Sequence, residues 1–420
     1  MRNALLAFIV GSSALSACAQ PTQLPAQSPA RSPTTLPTTK PTDLRVAVAG
    51  DRVYLPQLES QTTPRLTLDI TPDLASPTLI LSDKPEYFRT MQSPGPGWGN
   101  GIALQENLLP GQYRFYPYHV PTPKSKDKVI STVVENTGTS PLTLRFTLDH
   151  FSPAGGDYQK IAKLGLAALI NNQLATGDTT FFPRTLTIAP GERALFDPRM
   201  DAAVVKENDL IHGLYAFTTD QPMRLTVFQK DVGQDSLEVI DTLEKLPRVL
   251  PGFHASGAGR GQFPLSGRVA VAKEPFDATA GARQVVVADG VDDAWIEGTD
   301  GIDGAPTDGK PFINKGNYGM TYKIRIPYKV GKAFALLIVN DRAKAKWCEW
   351  NANVIGVDGR AVDVPRDRTR FGGLPEAVFL GRFGDQKEGE AAGSIKFIHL
   401  DYSPAGAACL PTPFWLVPLE

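Results

Sequence analysis

From residue 44 onward, apolar and polar positions alternate in short runs. Leu142, Leu144, Phe146 and Leu148 fall on one side of an extended chain, and Thr143, Arg145 and Thr147 fall on the other. A period of two predicts a strand with one buried face. Val129 to Glu135 is rich in β-branched residues, and Asn136-Thr137-Gly138-Thr139 supplies turn chemistry, so this pair reads as a hairpin. Leu186 and Ile188 lead into Pro190-Gly191, and Ala194-Leu195-Phe196 leaves it. Gly213 to Thr219 and Met223 to Gln229 flank Asp220-Gln221-Pro222 as another hairpin. One stretch breaks the alternation: Tyr158, Ile161, Leu164, Ala168 and Ile170 keep a helical period between Asp157 and Leu174.

Residues 233–268 read as a connector. Asp235 and Glu238 have capping-box spacing, with Leu237, Ile240, Leu243 and Leu246 following at helical intervals until Pro247. A second block of strands then runs through Gln284 to Ala288, Tyr318 to Tyr328, Phe334 to Val339, Val354 to Val364 turning at Asp358-Gly359, Val378 to Phe383, Ile395 to Tyr402 and Phe414 to Leu419. The expected class is mainly β: two β-sandwich, immunoglobulin-like domains at 44–232 and 269–420, with a short inserted helix and a helical connector.

Composition narrows this further. Among 420 residues, 43 basic side chains balance 44 acidic ones, which argues against a nucleic-acid binder because displacing counterions needs a basic surplus. Gly (38) and Pro (36) are abundant enough to disfavour long helical bundles.

The N-terminus reads as an address. Arg2 is a short positive region, Ala4 to Val10 is apolar, and Leu15-Ser16-Ala17-Cys18 places small residues before a cysteine. Residues 1–17 are therefore expected to be a signal peptide. The pattern resembles the bacterial lipobox, which implies acylation of Cys18 and anchoring to a membrane through its acyl chains. Residues 18–43 then carry Pro21, Pro25, Pro29, Pro33, Pro37 and Pro41, an extended tether by composition. Localisation in the cell envelope, outside the cytoplasm, follows from this reading.

Ser82-Asp83-Lys84-Pro85-Glu86-Tyr87, Gly111-Gln112-Tyr113-Arg114-Phe115-Tyr116-Pro117-Tyr118-His119, Gly213-Leu214-Tyr215-Ala216-Phe217 and Gly316-Asn317-Tyr318-Gly319-Met320-Thr321-Tyr322 punctuate the body. Together they resemble a family of bacterial extracytoplasmic proteins of unknown function, DUF3370-like, related to surface proteins some of which sit beside a copper-amine-oxidase-type module. The resemblance covers about residues 78–420 and implies an envelope location with no established activity. The family has a His pair at this point, whereas Tyr118 precedes His119 here.

Several patterns carry chemistry. Asp289, Asp292, Asp293, Glu297, Asp300, Asp303 and Asp308 crowd one stretch without Lys or Arg among them, which reads either as a solvated acidic loop or as a calcium site. Five dispersed histidines show no metal-binding spacing; His119 and His150 are the candidates should a copper or zinc site assemble in space. Asn317-Tyr318 lacks the threonine of the amine-oxidase cofactor context, and Gly304 to Lys310 imitates a phosphate loop but is followed by Pro311. Cys348 and Cys409 would close a loop of about 60 residues, worth on the order of 4 kcal/mol if bridged. Trp98, set between glycines, is a candidate ligand contact.

The expected function is a membrane-anchored envelope lipoprotein, a non-catalytic binding or structural module for an envelope or surface-layer protein, peptidoglycan or a glycan. The alternative is an extracytoplasmic metal-dependent or redox enzyme built from dispersed His and Asp residues.

Overall fold

The computed structural model describes residues 43–58, 63–84, 86, 88, 100–121, 127–175, 182–246, 259–299, 312–340, 350–408 and 410–420. The expected signal peptide, Cys18, nearly all of the tether, Trp98, Asp300, Asp303, Asp308, the phosphate-loop imitation, Cys348 and Cys409 lie outside them. Among the described residues no helix is long and apolar enough to cross a membrane.

The protein is mainly β, built from stacked sheets with few short helices. One six-stranded sheet runs, in spatial order, Arg260–Phe263, Thr78–Ser82, Gly111–His119, Leu210–Thr219, Leu142–Gly155 and Arg184–Ile188. A four-stranded sheet of Gly101–Leu108, Met223–Asp231, Lys128–Asn136 and Arg193–Leu195 belongs to the same block. A second six-stranded sheet orders Leu68–Pro72, Gly267–Ala272, Thr321–Lys329, Ile395–Tyr402, Asn353–Val357 and Arg360–Val364. A five-stranded sheet of Arg52–Tyr54, Glu376–Phe383, Phe334–Val339, Phe414–Pro418 and Arg283–Val285 completes the set.

The alternation expected at Leu142–Gly155 holds: Leu142, Leu144, Phe146 and Leu148 are buried, while Arg145 and Thr147 are exposed. Asp358-Gly359 turns a true hairpin, with both residues in the left-handed region at φ 45° and 80°. The other two expected hairpins are corrected. Lys128–Asn136 pairs with Met223–Asp231 and Arg193–Leu195, whereas Leu142–Gly155 pairs with Leu210–Thr219 and Arg184–Ile188. Leu210–Thr219 and Met223–Asp231 likewise belong to opposite sheets. These turns are arches that carry the chain from one layer to the other. Asn136 holds one arch: its Oδ1 accepts from Gly138 N–H at 2.9 Å, and its Nδ2 donates to Ser140 and Ile188 carbonyls at 2.9 Å.

The inserted helix forms at Tyr158–Leu174, where Asp157 caps it by accepting from Lys160 N–H at 3.1 Å. Ile161, Ala162, Gly165, Leu166, Leu169 and Ile170 form its buried face. That face meets strands of both blocks, Leu142–Gly155 and Leu210–Thr219 on one side and Asn353–Val357 on the other. The connector helix is shorter than expected. Asp235 caps Ser236–Val239, one tighter turn follows at Ile240–Thr242, and the chain then extends, with Leu246 N–H donating to the Ile102 carbonyl at 2.9 Å. Buried pairing with a neighbouring strand end wins over the helical period.

Strand order does not follow the expected 44–232 and 269–420 blocks. Arg52–Tyr54 and Leu68–Pro72 pair within the sheets of the later block, and Arg260–Phe263 joins the earlier one. Pro41–Glu420 is a single contact-dense unit. The sheet holding Gly111–His119 is buried on both faces. Ile80 and Phe115 look into a core closed by the four-stranded sheet, while Leu79, Leu81, Tyr116 and Tyr118 join a continuous core with Met320, Tyr322 and Ile324 of the later block.

Candidate functional site

A pocket of about 250 Å³ opens at this seam. It is lined by Asp83 and Glu86 after the Thr78–Ser82 strand, Tyr118 near the end of Gly111–His119, Tyr158 at the helix start, Lys315 and Tyr318 in the turn before Thr321–Lys329, and Gly406-Ala407 after Ile395–Tyr402.

Each contributor is fixed by local bonds. The loop carrying Glu86 is pinned to the end of the neighbouring strand: Val120 N–H donates to the Glu86 carbonyl at 2.7 Å, and Phe88 N–H to the Val120 carbonyl at 3.1 Å. Ser82 Oγ lies 2.7 Å from His119 Nε2, and Phe88 packs on the His119 ring with centroids 4.9 Å apart. Tyr118 stacks beside Tyr116 at 6.2 Å and 12°. Gly406 is required there: a Cβ on it would stand 2.6 Å from Tyr118 Cε2 and 2.7 Å from the Tyr116 hydroxyl.

The turn that presents Tyr318 is bound at both ends by Asn314, which accepts from Tyr318 N–H at 3.0 Å and donates to its carbonyl at 2.8 Å. Asn317 takes φ 50° and Gly319 φ 76°, left-handed positions that suit Asn and Gly. The Gly319 carbonyl accepts from the buried Arg114 Nη1 at 3.2 Å, and Arg114 also reaches the Ser266 carbonyl at 3.0 Å. One guanidinium on the earlier block thus fastens two loops of the later one. Burial draws this guanidinium down to about 10, with Asp73 opposing the shift.

The pocket's polar groups have shifted acidities. Burial raises the Glu86 carboxyl above the usual carboxylate range. It also lifts Tyr118 and Tyr318 above the ordinary phenol value, with the nearby carboxylates Asp83 and Glu86 adding to the effect. At neutral pH these tyrosines are therefore neutral hydroxyls, suited to hydrogen bonding rather than to nucleophilic attack.

The sequence-derived candidates fall elsewhere. His119 is fully buried and spoken for by Ser82. His150, half-buried, places Nε2 3.1 Å from Ser152 Oγ, and desolvation with the nearby Arg199 lowers its pKa. Both strands flank Leu210–Thr219, His119 opposite Ile211 and His150 opposite Leu214. Among the described residues no group of three or more His, Cys, Asp or Glu is arranged to hold a metal ion.

Within the described part of the acidic stretch, distant arginines pair with Asp289, Asp292 and Asp293, while Asp292 and Glu297 remain exposed. Arg65 Nη1 bridges Asp289 at 2.7 Å and Asp292 at 2.6 Å. Arg268 pairs with Asp293, which is only 1% exposed. Asp289 Oδ1 accepts from the N–H groups of Val291, Asp292 and Asp293, closing a turn. Glu297 is exposed in a two-residue strand against Phe312–Ile313. The side chains offered for calcium at Asp289, Asp292 and Asp293 are thus engaged with arginines and backbone.

Sequence reading did not single out Asp83, Glu86, Tyr118, Tyr158 or Lys315 as site residues. The signal was present in a different form. Three motifs far apart in the chain, Ser82–Tyr87, Gly111–His119 and Gly316–Tyr322, all deliver residues to this one pocket. In comparisons with known proteins, the chain matches no family model and no curated protein.

Proposed function

We propose that the protein is a cell-envelope lipoprotein whose sheet-built body acts by binding rather than by catalysis. Acyl chains on Cys18 would hold it at a membrane, and residues 18–43 would space it from the surface. The pocket around Glu86, Tyr118 and Tyr318 would meet a surface protein, the cell wall or a glycan. The observation that carries this reading is the convergence of three separated motifs on one small cleft with neutral hydroxyls, carboxylates and a lysine. Rigidly held donors and acceptors in an apolar frame are recognition chemistry.

Two measurements test it. Cys18→Ser should move the protein from the membrane fraction to the soluble extracytoplasmic fraction; an unchanged distribution would overturn the anchor. A tagged copy recovered from intact cells should bring down a wall, glycan or surface-protein partner that is lost with Tyr118→Phe and Glu86→Gln together. Stoichiometric copper or zinc in protein purified without chelator, accompanied by turnover, would replace this reading with the metal-dependent or redox enzyme.

A further inference from the structure

We infer that the pocket takes one residue of an unacetylated amino sugar, its ammonium against Glu86 and its hydroxyls against Tyr118 and Asp83. The inference deepens the binding reading above and rests on it.

Size comes first. At about 250 Å³ the pocket is smaller than the roughly 300–1,000 Å³ of drug-sized sites, so it accepts a single small ring or head group.

Charge comes second. Glu86 lines the pocket, and no lysine or arginine among the described residues acts on its carboxyl, which feels burial alone. A carboxylate drawn away from water without a cation is costly, and a ligand's ammonium supplies the missing charge. Lys315 also lines the pocket but is exposed and forms no ion pair with Glu86.

The third point is independent of charge. Tyr118 is only 4% exposed as a residue and lines the pocket, and its hydroxyl, which is not among the buried polar atoms lacking a partner, is open to the cleft. A tyrosine hydroxyl that opens into a cleft and is held by a packed ring is placed to meet a ligand group. A bare alkylammonium would satisfy Glu86 and leave Tyr118 unanswered. A sugar ring bearing an amine answers both, and the rings of Tyr158 and Tyr318 on the walls suit a cation or the face of a pyranose.

Calorimetric titration of the purified full-length protein with glucosamine, N-acetylglucosamine, glucose and lysine amide decides the matter. Glucosamine should bind saturably, with the two uncharged sugars and lysine amide each about tenfold weaker or more, the share of one charge-assisted hydrogen bond. Glu86→Gln should lose at least about tenfold for glucosamine, and Tyr118→Phe several-fold for glucosamine while leaving lysine amide unchanged. A melting curve for each variant confirms that it is folded. Equal affinity for all three sugars would overturn the charge assignment while leaving a glycan-binding pocket. Lysine amide binding as tightly as glucosamine would overturn the sugar in favour of a peptide amine. No binding by any of the four would overturn the inference outright. The cell-based recovery described above still reports separately on whether the protein is a binding module.

Discussion

The phenol of Tyr322 donates to Oδ2 of Asp293 at 2.6 Å, deep beneath the acidic stretch. Asn317 joins them: its Nδ2 donates to the Tyr322 hydroxyl at 2.8 Å, and its Oδ1 accepts from Ile296 N–H at 2.9 Å. Through Asn317 and Tyr322, Asp293 braces the turn that presents Tyr318.

Asp293→Asn should therefore be strongly destabilising. It leaves Arg268 facing an uncharged amide in a site with almost no solvent, and breaking a buried pair in this way costs about 3–5 kcal/mol. Urea unfolding measures the loss. A change within a few tenths of a kcal/mol would mean that the pair contributes little.

Glu86→Gln should raise stability at neutral pH while weakening ligand binding. Burial holds the Glu86 carboxyl above its ordinary 4.5, so the native protein keeps this proton to higher pH than the unfolded chain. Stability from this group is present at low pH and falls as pH rises through the window above 4.5. Asp83, Tyr118, Tyr158, Tyr318 and Lys315 face the same pocket, and Tyr118 and Tyr318 stay neutral throughout that window. Melting temperatures of wild type and variant from pH 4 to 8 should diverge with increasing pH in favour of glutamine. Parallel curves would remove Glu86 as the cause.

His212 makes the fold sensitive to acid. Its Nδ1 lies 2.8 Å from the Pro117 carbonyl, and burial depresses its pKa from 6.5 to about 4, with His150 adding to the shift. Tyr116, Tyr118 and Gly165 crowd the ring. The unfolded chain binds this proton near 6.5 and the native protein only near 4, so stability is lost as pH falls between them. The loss is on the order of 3 kcal/mol at the acid end. The pH dependence of the urea midpoint should flatten over this interval in His212→Gln; an unchanged slope would assign the acid sensitivity to other groups.

Gly406→Ala tests the geometry of the pocket wall. The added methyl would meet Tyr118 and the Tyr116 hydroxyl well inside contact distance, forcing the ring pair to move. Overpacking of this kind costs about 1–3 kcal/mol, and ligand binding at Tyr118 should fall with it. Thermal melts and titration with glucosamine read the two effects separately. Wild-type values in both would show that Tyr118 has room to spare.

Local physics was legible in the chain. The alternation of Leu142 to Leu148 named a buried face because side chains on a strand point to opposite sides in turn. Asp157 marked the start of a helix, and Asp358-Gly359 a hairpin, because each satisfies a backbone demand within a few residues of itself. Partnership was another matter. Turn residues bend an arch as readily as a hairpin, so Asn136 to Thr139 could not reveal that its two strands lie in different sheets. Arg65 is 224 residues from the Asp289 it neutralises, and Glu86 meets Tyr318 only because the two blocks share a core. Sequence by itself determined the strands, their inward faces and the tight turns, since sterics and burial act along the chain. Tertiary structure alone decided which sheet each strand joined, which arginine met each carboxylate, and where Glu86 and Tyr118 would face one another, since pairing and charge act through space.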